Sequence, residues 1–398
     1  MTFLFGPSSA WAANFTGAID NDWHKGGNWS TGIVPNGGGG VFINSGKTAD
    51  VTQTTAFNGG FEIDHNATIN IKNGATLTQT GDNQWWGRPN DTWMINITEG
   101  ATLTNTNGNA HFGTGTNSTS TVNLDNGTWN HFDQIKSNST GNKWYTNMAN
   151  GSMINAAHFW LRNDNASNSA VLKGSGTVTV SQTFRSNGRV EADGGTLNFV
   201  SWASLSDDQN YAIAMPDGNR AGWYAANQGR LQLPTLSLSG TTKAWGEEVN
   251  DATLDIVNSL RLTGGGISGT VDIELVALDL VSIQPAIVLL ADPIGVWNIS
   301  AGAGGVTGME IRYDDNAIVV NENDLKLLFN GGAGWTDITN VLDMGNNRIS
   351  GSTGLGAGLY AVAEGFTSSV VPEPSSLLLA TLGLLCLGCG RRRRKQTG

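Results

Sequence analysis

The chain has 398 residues, of which only 14 % are charged, against about a quarter in average globular proteins, so its surface polarity must come from amides and hydroxyls. The net charge is −11, but residues 391–395 hold five of the 22 Lys and Arg; without that block and Glu373, 17 bases face 32 acids, leaving the body near −15. A body this acidic argues against a nucleic-acid partner, which needs a positive surface, and the abundance of Gly, Asn, Thr and Ser suits an extracellular β-rich protein better than a cytosolic enzyme.

Residues 1–13 read as part of a secretory signal peptide. Ala10-Trp11-Ala12 followed by Ala13 is the small-x-small pattern that a signal peptidase requires, which places cleavage at Ala12 and Ala13. The apolar stretch ahead of it is only Phe3 to Phe5 and has no positive flank, so the expectation is a signal whose start is missing. The alternative is a chance Ala-x-Ala.

Residues 14–200 carry a repeat. TINIKNGATL from Thr68, MINITEGATL from Met94, TVNLDNGTWN from Thr121 and YTNMANGSMI from Tyr145 share one pattern, and VLKGSGTVTV from Val171 and RVEADGGTLNF from Arg189 are looser copies. The marker glycines Gly74, Gly100, Gly127, Gly151, Gly176 and Gly195 recur about every 25 residues. A unit this short cannot bury a core alone, so units must stack. Ile69-Asn70-Ile71 and its equivalents alternate with period two, as a half-buried strand does. Asn-Gly or Glu-Gly then turns the chain, because both positions accept positive φ. Stacked rungs lie about 4.8 Å apart, so Asn70, Asn96, Asn123 and Asn147 can form an amide ladder. A hairpin-based sandwich is the competing arrangement, since Asn-Gly is also a hairpin signal. Recurrence in the same columns and the shortness of each strand favour a parallel β-helix.

Residues 201–350 lose the repeat. An irregular stretch to residue 230 precedes longer apolar strands, for example from Leu254 and from Val271, which read as a β-rich cap over the solenoid's open edge. Residues 351–370 read as a Gly-rich linker. The fold expected is therefore all-β, a right-handed parallel β-helix or solenoid with a β-rich C-terminal cap and one short C-terminal transmembrane helix.

That helix lies in the tail, residues 371–398. Sixteen uncharged residues run from Ser375 to Gly390, about 24 Å as a helix and short of the ~20 residues that span a bilayer comfortably. The block Arg391, Arg392, Arg393, Arg394 and Lys395 would stop transfer and stay cytoplasmic. Cys386 and Cys389, the two cysteines of the chain, fall among these leucines, so the body has no disulfide and no thiolate chemistry.

Val371-Pro372-Glu373-Pro374-Ser375, a short apolar helix and a terminal Arg cluster, in that order, resemble the PEP-CTERM sorting signal of Gram-negative bacteria. The resemblance covers about 28 residues and implies export, membrane tethering through the helix, and processing near Pro-Glu-Pro by an exosortase-type membrane enzyme. It also brings an association with exopolysaccharide-making bacteria. Pro372, Glu373 and Pro374 would be the recognition element, held extended by the prolines. A second resemblance lies in residues 20–46: Asp22-Trp23, Asn28-Trp29, Gly32 and Pro35 look like the start of autotransporter-type β-helix passengers, where the segment is a capping rung.

No catalytic residue, metal site or cofactor emerges from the columns. A β-helix lyase or hydrolase needs carboxylates clustered on neighbouring rungs, yet the positions flanking the marker glycines show no acidic column. His24, His65, His111, His131 and His158 lack metal-ligand spacing. Asp207-Asp208 and Asp314-Asp315 read as solvated turns. The tryptophans carry the sharpest hint of binding: Trp85, Trp86, Trp93 and Trp129 could stack on sugar rings, or fill the solenoid core. The resulting expectation is a non-enzymatic surface or matrix protein with structural or adhesive use. The alternative is a secreted carbohydrate-active enzyme, a polysaccharide lyase or hydrolase.

Overall fold

The computed structural model describes residues 13–36, 40–81, 84–86, 90–112, 116–137, 140–161, 167–206, 214–245, 256–281, 288–289, 295–300, 304–315, 318, 321–352 and 356–364. It is all-β, with a solenoid of about seven turns.

Three parallel ladders wrap one apolar core. The first runs through Thr48–Val51, Thr68–Ile71, Thr92–Thr98 and Thr119–Asp125, then through the leading parts of Lys143–Leu161, Ser169–Val180 and Arg189–Ser201, and ends on Gly222–Ala226. The second runs through Thr55–Phe57, Thr76–Gln79, Thr102–Asn105 and Thr128–Ser137 to Arg230–Gln232. The third includes Gln84–Trp86, Ala110–Phe112, Thr183–Ser186 and Ser204–Ser206. Alternation drives this arrangement: along the first ladder Ala49, Ile69, Ile95, Val122, Thr146, Leu172, Val190 and Trp223 stack in register, all buried. Thr146 is tolerated inside because its hydroxyl accepts from Trp144 Nε1 at 2.8 Å.

The corners explain the glycines and correct one of them. Asn73-Gly74, Glu99-Gly100 and Asn150-Gly151 turn through paired positive φ angles. Gly127 does not. Its rung is one residue shorter at the corner, since Asp125 pairs with Thr98 but Thr128 pairs with Thr102. A Cβ on Gly127 would stand 2.2 Å from the Ile97 carbonyl oxygen, so it needs glycine for space rather than for φ.

Both ends are covered. At the N-terminal end Asp22 bridges Asp50, and Trp23 and Trp29 close the core edge-to-face at 4.7 Å. Buried Asn28 fixes this segment, accepting from the Ile19 and Asp20 amides and donating to Asp20 and the Asp22 carbonyl. At the other end the second ladder passes from parallel to antiparallel: Arg230–Gln232 pairs with Ile273–Val276, followed by Val296–Ile299, Gly358–Glu364 and Lys326–Asn330. A separate five-stranded antiparallel sheet, built from Leu236–Trp245, Leu260–Val271, Gly304–Arg312, Arg348–Ser352 and Thr339–Asp343, shares the apolar core.

Three features differ from the sequence reading. The parallel ladders continue to Gln232 rather than ending near residue 200, because Trp223, Tyr224 and Leu231 supply the inward contacts of a last turn. The segment read as a linker holds an inner strand, Gly358–Glu364, with Tyr360 to Glu364 buried between two neighbours. Asp314 does not sit in a solvated turn: it is buried against Arg220. The tail at 371–398 lies outside the described residues, and among those described no helix is long and apolar enough to cross a membrane.

Candidate functional site

Outward columns on the ladders provide the surface chemistry. On the first ladder the amide ladder forms: Asn147 donates to Asn123, Asn123 to Asn96 and Asn96 to Asn70, each at 2.8 Å, and Asn70 donates to Asp50 at 2.7 Å. Lys72 balances Asp50 at 3.0 Å. Further along, Lys173 bridges Glu191 and Asp193 at 3.0 Å each. Burial draws the Lys173 ammonium down, but hydrogen bonds to those two acids outweigh it and hold its pKa above the usual lysine value. These polar groups are consumed by one another.

A different column crosses the junction on the second ladder. Thr177, Asn198, Gln232, Glu274 and Asn298 are successive backbone partners, spanning the change from parallel to antiparallel pairing. All of them but Thr177 line a groove of about 480 Å³ whose other walls include Val200, Thr235, Asp272 and Ser300. A second hollow of about 410 Å³ on Gly151, Gly176 and Gly195 shares Asn198 and Gln232 with it. Glu274 takes Arg230 at 3.1 Å and Asn298 Nδ2 at 2.8 Å. Thr235 donates to Asp272. Val178 pairs with Phe199 and Thr179 with Ser201, so Val200 is the extra residue of a bulge, 53 % exposed at the groove wall.

The tryptophans are largely structural. Trp93 and Trp129 are buried, which removes them as sugar-stacking groups: both occupy inward positions of alternating strands, and Trp129 Nε1 donates to Asn105 at 3.1 Å. Trp85 and Trp86 lie in the strand Gln84–Trp86, and their side chains fall outside the described residues. Trp160 is half-buried, with the Arg185 guanidinium 4.1 Å and the Lys136 ammonium 5.4 Å from its ring. Beside it, burial lowers the His158 pKa, against the opposing pull of Asp133.

Ala13 opens the first strand, Ala13–Phe15, and is buried; Ala12 lies outside the described residues. So do Val371 to Ser375 and Arg391 to Lys395. Sequence reasoning missed the groove column and the Arg220 pairing. Both join residues far apart in the chain through antiparallel partners that no repeat announces.

Among the described residues no group of three or more His, Cys, Asp or Glu could hold a metal ion. Neither curated proteins nor solved structures give a match to the chain. Residues 370–394 match the family model of the PEP-CTERM protein-sorting motif. The span takes in the Pro-Glu-Pro, the apolar run and the arginines, so the chain is an exported protein bearing the exosortase sorting signal.

Proposed function

We propose that the protein is a non-enzymatic β-solenoid of the cell surface or extracellular matrix, with structural or adhesive use and an association with exopolysaccharide. It is tethered by the apolar run Ser375–Gly390, with Arg391 to Lys395 on the cytoplasmic side, until an exosortase-type enzyme processes it near Pro372-Glu373-Pro374. The observation that carries this reading is the sorting motif at residues 370–394. The body supports it through the use of its carboxylates. Asp50 takes Asn70 and Lys72, Glu191 and Asp193 share Lys173, and Arg220 lies between Asp314 and Asp315. Groups engaged this way serve packing rather than acid–base chemistry. We read the solenoid as right-handed, the hand that parallel crossovers adopt almost without exception.

The test is surface exposure. The full chain is expressed in a host with an exosortase, and intact cells are treated with protease. Digestion of the body supports the reading; full protection until lysis contradicts it.

A further inference from the structure

We infer that the junction groove binds a linear, uncharged polysaccharide along the column Asn198, Gln232, Glu274 and Asn298, continued by Thr177 in the adjoining hollow. The inference rests on the surface-protein reading above and adds a ligand class to it.

The first observation is a contrast between two sets of amides. Those of Asn70, Asn96, Asn123 and Asn147 bond one another along the first ladder. The side-chain amides of Asn198 and Gln232 occupy the same kind of outward position, one rung apart, yet have no hydrogen-bond partner among the described residues. Each offers a donor and an acceptor to the groove, the complement of a sugar hydroxyl pair. Glu274 and Asn298 continue the row, already oriented by their bond to each other at 2.8 Å. Such pre-oriented polar groups bind with little ordering cost.

Charge selects the ligand. None of the residues lining the groove is cationic; Asp272 is acidic, Glu274 is already held by Arg230 from outside the lining, and the body carries a large negative charge. A uronate, sulfate or phosphate polymer would be repelled. A neutral sugar presents hydroxyls to the amides and a C–H face to bulged Val200.

Shape selects a chain rather than a monosaccharide. Successive column residues stand about 4.8 Å apart, comparable to the length of a pyranose unit. The groove also runs on into the hollow over Gly151, Gly176 and Gly195, whose other lining includes the small side chains of Ser175, Thr177 and Thr196. One sugar per rung would then follow the solenoid axis.

The experiment uses the full chain in detergent and isothermal titration with a linear β-glucan hexamer, a linear mannan hexamer and a polygalacturonate hexamer. At least one neutral hexamer should bind, the anionic one should not, and Asn198→Ala/Gln232→Ala should weaken binding at least tenfold. Thr121→Ala, on another face, should bind as wild type. Hydrogen exchange on the wild type gives a readout independent of any variant: saturating neutral hexamer should protect residues 196–200 and 230–235. Preference for the anionic hexamer, absence of binding to both neutral ones, or protection confined to other rungs would overturn the inference. Failure here leaves tail processing untouched, so the two readings fail separately.

Discussion

The side-chain amide of Asn123 donates to the amide oxygen of Asn96 at 2.8 Å, and Asn96 repeats the contact toward Asn70. Every Nδ2 points toward the preceding rung, and the row ends on the Asp50 carboxylate, which accepts without donating onward. An oriented row of amides thus closes on a charge balanced by Lys72.

Asn96→Ala removes one donated and one accepted bond from this row. At about 0.5–1.5 kcal/mol for each bond, and with the column half-buried, the expected loss is about 1–2 kcal/mol in urea denaturation. An unchanged midpoint and slope would show that the row contributes nothing to stability.

Gly127→Ala and Gly100→Ala should differ in cost. The first places a methyl 2.2 Å from the Ile97 carbonyl oxygen, and should destabilise by about 1–3 kcal/mol through overpacking. The second meets nothing within 4 Å but holds φ at +76°, so its cost is the backbone strain alone, about 1 kcal/mol. Gly100→Asn should recover most of that loss, because Asn tolerates the left-handed region. Thermal melts of the three variants check the order.

That pair also shows how far the sequence could be read. Ile69, Ile95 and Val122 announce an inward column through alternation, and the Asn-Gly pairs announce corners, so the solenoid and its amide ladder were legible. Gly127 shares a letter with Gly100 but not its place, because a one-residue deletion at the corner is invisible until register is known. Gly358–Glu364 was hidden for another reason: glycines mask a strand whose burial comes from partners elsewhere in the chain. The groove required Asn198, Gln232 and Glu274 to meet across parallel and antiparallel pairings, which no local pattern encodes.

Arg220 should prove the main electrostatic tie between the solenoid and the antiparallel module. Its Nε lies 3.1 Å from Asp314, which is 7 % exposed, and its Nη2 lies 2.6 Å from Asp315. Arg220→Ala removes an ion-pair partner from a buried carboxylate, and about 3 kcal/mol should be lost. Asp315→Ala, at an exposed partner, should cost under about 1 kcal/mol. Equal effects in chemical denaturation would contradict this assignment.

Asp217 makes stability depend on acid. Burial alone would raise its pKa, but Asn219 and Tyr145 donate to the carboxylate and the net effect is a lowering. A folded value below the unfolded one, about 3.9, means that the contribution is present above the unfolded value and is lost as pH falls through the folded value. The stability gap between wild type and Asp217→Asn should therefore be larger at neutral pH than in strong acid. Urea titrations at the two pH values measure it, and a constant gap would count against the carboxylate's role.

The central claim is that the tail is a signal processed by an exosortase, and the mass of the mature C-terminus tests it most directly. Purified from an exosortase-bearing host, the wild-type protein should lack the apolar run and the block Arg391 to Lys395, with its new end near Pro372-Glu373-Pro374. Glu373→Ala should retain the full tail in the same host. Wild-type protein ending at Gly398, or a variant processed to the same mass as wild type, would contradict the account.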